Sequence, residues 1–167
     1  MLSLDNLLVI SIEQAVAAPM CSLRLADAGA RVIKIEPPGG ETARLYDADV
    51  LGESAYFAAL NRGKESVELL LRDEADRKLL ERMLDRADVF IRNTAPGTMH
   101  RFGLGADEVT SRHEKLIVVD FVGYGQDTDY RSMKAYDLLV QAESGLCSVT
   151  GTQESAAKVG VSIADLG

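Results

Sequence analysis

Residues 7–36 read LLVISIEQAVAAPMCSLRLADAGARVIKIE, and this stretch decides the fold class. Leu7 to Ile12 is an almost unbroken apolar run, as expected of a parallel strand covered on both faces; a half-exposed strand would alternate. A helix follows. Pro19 fits its first turn, where a missing N–H has no partner to lose, and AAPMCSLRLADAG is apolar on nearly every face, which predicts a buried helix ended by Gly29. Arg31 to Glu36, RVIKIE, reads as a second strand, stopped by Pro37, Pro38, Gly39 and Gly40. Strand, helix and strand in that order make a βαβ crossover and hence a parallel sheet.

The same pattern continues outward. Glu41 to Leu60 is a long polar connection that passes into a short apolar helix, and a connection of that length is expected to cover something. Asn61, Arg62, Gly63 and Lys64 form a turn-like cluster ahead of a strand, Ser66 to Leu71; on composition alone it is a solvated turn. Asp73 starts an amphipathic helix through Arg86 with Leu79, Leu80, Met83 and Leu84 on one face. Ala87 to Ile91, ADVFI, is a strand that delivers Arg92, Asn93 and Thr94 to a Pro-Gly turn. Lys115 to Val122, KLIVVDFV, is another buried run, with Asp120 out of place in it. Tyr136 to Ser144 reads as a helix ended by Gly145, and Leu146 to Thr150 as a break. The α/β class follows, with a Rossmann-like parallel sheet and flanking helices.

Composition narrows the function. The chain has 167 residues, 47% of them hydrophobic, a net charge of −8 and no Trp. An acidic protein lacks the basic face that a nucleic-acid partner requires. No apolar run approaches the length of about 18 residues that spans a membrane, and the start lacks the pattern of a signal peptide. Cys21 and Cys147 lie far apart in apolar or small-residue contexts, which suits thiols in a reducing compartment, so a cytoplasmic location is expected. His100 and His113 have no carboxylate or cysteine companions at ligand spacing, and no metal site is expected. Glu36 ends the second strand where dinucleotide-binding folds hold a ribose, but the first turn, IEQAVAAP, has no G-x-G-x-x-G, and Glu36 reads better as a strand-end acid on a solvated rim.

One acid stands out at the far end. In KVGVSIADLG, residues 158–167, Val159, Val161 and Ile163 alternate with small residues like a buried strand, and Asp165 lies just past it. Ligand crevices in open α/β sheets lie outside the carboxyl ends of strands, so Asp165 can meet a substrate there. Equally, Asp is a favoured N-cap residue and can simply begin a helix.

The segments EQAVAAPMCSLRLADAGARVIKIEPPGG (13–40), NRGKESVELLL (61–71), RNTAPGTMHRFGLG (92–105), GYGQ (123–126), KAYDLLVQAESGLCSVTG (134–151) and KVGVSIADLG (158–167) together resemble family III CoA-transferases. That family comprises the formyl-CoA, carnitine and dicarboxylate CoA-transferases and the α-methylacyl-CoA racemases. Within it the segment is most similar to mesaconate, itaconate and citramalate transferases. The resemblance implies that 1–167 is the N-terminal part of the large domain, with the rest of that domain and a small domain lying beyond it. It further implies an interlocked homodimer at full length, and a 167-residue chain that is catalytically silent alone.

By the same resemblance Asp165 falls on the catalytic aspartate, which attacks an acyl-CoA thioester to form a mixed anhydride and then an aspartyl-CoA thioester. A carboxylate needs no deprotonating base at neutral pH, its unperturbed pKa being about 3.9. Lys64, Arg101, Lys134 and Tyr136 match CoA-contacting or active-site positions, Asn93 and Thr94 a loop bordering CoA, and Val16 an active-site-lining position that some relatives fill with Gln. Pro37 replaces an Arg that some relatives use for CoA, and Thr128-Asp129 stands where Gly-Pro is usual. The implied partners are acyl-CoA, as substrate and not as a resident cofactor, and a carboxylic acid. Two other readings share these residues. An α-methylacyl-CoA racemase would use Asp165 for proton exchange, although Tyr136 replaces the His that racemases place there. A noncatalytic acyl-CoA-binding or assembly module would use the fold alone.

Overall fold

In the computed structural model, which describes residues 2–166, the strands and helices alternate from the start. They run β1 (Leu8–Ile12), α1 (Ala17–Asp27), β2 (Arg31–Glu36), α2 (Ala55–Asn61), β3 (Glu65–Glu68), α3 (Glu74–Leu84), β4 (Val89–Arg92), α4 (Ala106–Arg112), β5 (Ile117–Asp120), α5 (Asp137–Glu143), α6 (Leu146–Thr150) and α7 (Ile163–Leu166). One sheet holds all five strands in the order β3-β2-β1-β4-β5, and every pairing is parallel. The order reverses between β1 and β4, the topological switch point of this architecture. The α/β class and the Rossmann-like parallel sheet are as the sequence predicts.

The apolar runs of β1 and β4, and the apolar positions of β2 around Lys34, are explained by burial on both faces. Ile10, Ile33, Ile35 and Phe90 pack with Leu80 and Leu84 of α3 and Val109 of α4. On the opposite face Val9, Val32, Val89 and Ile91 meet Ala18 of α1, with Cys21 and Leu25 against them. Successive side chains of a strand point to opposite faces, so two helical layers consume every apolar position of a central strand. α1 ends where the sequence places its stop. Gly29 adopts φ +105°, the Ala30 N–H reaches back to the Leu25 carbonyl, and the Gly29 N–H to that of Ala26. This left-handed close favours glycine, and a Cβ here would lie 2.5 Å from Asp5 Oδ1.

Several expectations are corrected. β3 ends at Glu68, not Leu71, and β5 covers only Ile117–Asp120. Both are edge strands, and Ile117 is exposed instead of buried. Asp120 is explained by its neighbour in the ladder, Arg92, whose guanidinium donates to both of its carboxylate oxygens. Glu36 is no rim acid: it is 1% exposed, and Arg44 from the following connection grips it with Nε at 2.8 Å and Nη2 at 2.6 Å. Leu146–Thr150 is helix α6 and not a break.

The largest correction concerns the last segment. Among the described residues no strand forms at Val159–Ile163; Ile163–Leu166 is the short helix α7, and Asp165 lies within it, neither past a strand nor at an N-cap. Val161 and Ile163 are exposed, so the alternation that suggested a strand does not reflect a buried face. The described residues form two compact units, one up to Phe121 that contains the sheet and one from Val122 onward that contains α5, α6 and α7. No helix among them is long and apolar enough to cross a membrane.

Candidate active site

In the first unit the site is built from the loop after β1. Ala15 adopts φ +59°, a left-handed conformation that a residue with a Cβ rarely holds without outside support. The support is visible. Glu41 Oε2 accepts from the Ala15 N–H at 2.9 Å, while its Oε1 takes the ammonium of Lys34, whose side chain is 1% exposed. Lys34 Nζ also donates to Asn61 Oδ1 at 2.9 Å, and the same oxygen accepts from Lys64 Nζ at 3.1 Å. Lys64 completes the chain by donating to Glu13 Oε1 and to the Pro19 carbonyl, at 2.8 and 2.9 Å. Ser22 Oγ gives Glu13 Oε1 a further hydrogen bond.

Two lysines and two glutamates thus lie together beneath the first loop, with charges matched and the donors of Lys64 fully used. Burial pulls the Lys64 ammonium below its usual range, Lys34 adds to that pull, and the Glu13 carboxylate opposes it. Lys64 therefore belongs to a buried network that fixes the loop, and the solvated-turn reading is corrected for Asn61 and Lys64, while Arg62 and Gly63 are exposed. Cys21 lies on α1 in the same region. Burial, followed by the field of Glu13, raises its thiol above the ordinary value, which makes it a poor thiolate nucleophile at neutral pH.

Above this network, at the carboxyl ends of β1, β2, β3 and β4, opens a cleft of about 350 Å³. Ile12, Ile35, Leu69 and Phe102 supply apolar walls, while Arg72 and Thr94 add polar groups. Across the switch point Asn93 staples two loops together: its Oδ1 accepts from the Gln14 N–H at 2.8 Å and its Nδ2 donates to the Gln14 carbonyl at 2.7 Å. Arg101 is exposed on a short 3₁₀ turn and reaches Thr98 Oγ1, a residue of the cleft wall, at 3.5 Å. Val16 is buried where α1 begins and does not line the cleft. Arg72 and Lys34 were not singled out in the sequence. Arg72 follows β3 at the same rim as Asn93 and Thr94, a position that could have marked it; Lys34 inside a strand gave no such signal.

The second unit holds the remaining residues. Lys134 and Tyr136 are exposed, and Tyr136 immediately precedes α5. Asp165 is half-buried, and among the described residues its carboxylate has no hydrogen-bond or ion-pair partner. Burial, and after it the neighbouring Asp137 carboxylate, raises its pKa above the ordinary aspartate value. An unpaired, partly desolvated carboxylate is a better nucleophile than one held by cations and water, because nothing must be stripped from its oxygens before attack.

Residues 4–167 match CoA-transferase family III. The chain belongs to that family. The acetyl-CoA:oxalate CoA-transferase of Acetobacter aceti is 43% identical over 148 residues, covering 88% of this chain and 38% of the relative. The succinyl-CoA:mesaconate CoA-transferase of Haloarcula marismortui is 35% identical over 174 residues, covering 98% of this chain and 44% of its own length. Among solved structures, a CAIB/BAIF family protein from Brucella suis superposes with a TM-score of 0.93 at 34% identity, covering 99% of this chain and 45% of that one. This family III chain therefore spans less than half the length of the relatives it matches.

Proposed function

We propose that this chain carries the nucleophile and part of the CoA cleft of an acyl-CoA:carboxylate CoA-transferase, with Asp165 as the acyl acceptor. The observation that carries the reading is the state of the Asp165 carboxylate: half-buried, without a cation or donor on either oxygen among the described residues, and more basic than an ordinary aspartate. Relatives named for oxalate, mesaconate, glutarate and citramalate transfer support the same reaction class with small carboxylic acids as acceptors.

In the proposed sequence an Asp165 oxygen attacks the thioester carbonyl; the C–S bond breaks, leaving an aspartyl mixed anhydride and CoA thiolate. The thiolate then attacks the aspartyl carbonyl and expels the donor acid as its carboxylate, giving an aspartyl-CoA thioester. The acceptor carboxylate repeats both steps in reverse and regenerates Asp165. No proton is transferred at any stage, which is why no general base is required. The apolar cleft at the strand ends takes part of CoA, with Arg72 and Arg101 as phosphate ligands at its rim and Asn93 and Thr94 bordering it. Lys64 serves through Glu13 by fixing the first loop, and Val16 backs that loop from below. Lys134 and Tyr136, both exposed, are assigned to contacts with CoA. On this reading the complete protein works in the cytoplasm as a homodimer.

Asp165→Asn keeps the shape and removes the anionic oxygen. In the full-length protein it should lower transfer by about a thousandfold or more while leaving the fold unchanged by circular dichroism. Hydroxylamine added during turnover with acyl-CoA should mark Asp165 in the peptide map; a mark on another carboxylate would exclude it as the nucleophile.

A further inference from the structure

The segment that carries Asp165 is held by side chains of α5 and not by a sheet. Gln141 Oε1 accepts from the Val159 N–H at 2.8 Å, and its Nε2 donates to the Val161 carbonyl at 3.3 Å and to Asp137 Oδ2 at 2.7 Å. The other Asp137 oxygen accepts from the Ala164 N–H at 2.8 Å, one residue before Asp165. Asp137 and Gln141 are four residues apart on one helix, so their side chains lie one above the other and act as a single clamp. Gln141 is 0% exposed, and among the described residues of the second unit no other side chain is buried.

These bonds have a directional logic. The segment presents an N–H at Val159 and a carbonyl at Val161, and only a carboxamide offers an acceptor and two donors from one position. A hydrophobe of equal volume would leave both backbone groups and one Asp137 oxygen without these partners in a partly buried place. We propose that Gln141 is a positioning residue for Asp165, setting where the carboxylate stands through its bonds to Val159, Val161 and Asp137. The proposal rests on Asp165 being the nucleophile. An attacking oxygen displaced by about 1 Å can lose a hundredfold in rate while substrate still binds, so the effect belongs to kcat and not to KM.

The test uses the full-length protein with three variants. Gln141→Leu should fold, lower kcat by about tenfold to a hundredfold, leave KM for acyl-CoA within about twofold, and reduce hydroxylamine trapping at Asp165 in the same proportion. Gln141→Glu gives the signature that a purely structural role would not. When protonated it can still donate to Asp137, and when ionised it opposes it, so its kcat relative to wild type should fall as pH rises. Asp137 is the titratable group bonded to Gln141 among the described residues, and Asp165 the other carboxylate it bears upon. A folded Gln141→Leu with wild-type kcat overturns the proposal. If Gln141→Leu does not fold, Gln141→Glu decides, and a pH-independent ratio to wild type overturns it equally. Asp165→Asn, run alongside, separates the two ideas: full transfer by that variant removes the nucleophile reading, whereas a silent Asp165→Asn beside an unaffected Gln141→Leu removes only the positioning role.

Discussion

Glu36 shows how one buried carboxylate can tie a loop to a sheet. Burial alone would push its pKa up, but hydrogen bonds from Arg44, Ser66 and the Glu41 N–H, together with the Arg44 charge, outweigh that and hold it at about 2. Because the folded value lies below the unfolded one, the stabilisation is fully present above the ordinary value of 4.5 and is lost as pH falls from there toward 2. The difference corresponds to on the order of 3 kcal/mol at neutral pH. Glu36→Gln should therefore lower stability at pH 7 by roughly that amount and flatten the acid limb of a urea midpoint measured against pH. An acid at the end of β2 was plain in the sequence, but its partner was not. Arg44 lies eight positions on in a short 3₁₀ helix, Thr42–Leu45, and no periodicity tells a buried acid from an exposed one when the cation arrives from a connecting segment. Lys34 was hidden for the same reason, since Glu41 reaches it from the connection after β2 and Asn61 from the end of α2.

Among the elements, α3 is the one whose start is best defined by its own sequence. Asp73 accepts from the Ala75 and Asp76 N–H groups at 2.8 and 3.3 Å, and Glu74 and Asp76 follow in the first turn, where negative charge suits the helix dipole. Asp73→Ala should cost about 1 kcal/mol, read as a lower denaturant midpoint with an unchanged slope. The central strand β1 was as legible as this helix, because burial on two faces leaves an almost unbroken apolar run that little else produces at that length. Edge strands were not. β3 and β5 each have one neighbour, so their pairing stops where that neighbour's does, and the apolar residues beyond were read as strand. KVGVSIADLG failed for a different reason. Its period of two was real, but a strand needs a ladder partner as well as a pattern, and here the Asp137 and Gln141 side chains take backbone groups that a neighbouring strand would otherwise pair. The assignment of Asp165 as a candidate nucleophile comes from family resemblance alone. No local feature of a carboxylate after three alternating apolar residues separates a nucleophile from a cap.

For the molecule as a whole, the two units are held by different forces. The sheet unit closes two apolar layers around its central strands. The unit from Val122 onward fully buries no apolar side chain among its described residues, and Leu138, Leu139, Val149 and Val161 are exposed. Hydrogen exchange should therefore release the amides of α5, α6 and α7 well before those of β1, β2 and β4, and equal protection in both would contradict this division. The buried amide of Gln141 also sets how the segment that carries Asp165 responds to temperature. Heat-capacity change on unfolding scales with apolar surface exposed and is lowered by polar surface. Opening a unit pinned by hydrogen bonds around one carboxamide changes heat capacity little, so its free energy falls almost linearly on warming. The sheet core instead follows a dome with a maximum near or below room temperature. Calorimetry should show a shallow early transition ahead of the sheet's sharp one, so that heat frees the segment around Asp165 while the parallel sheet is still intact.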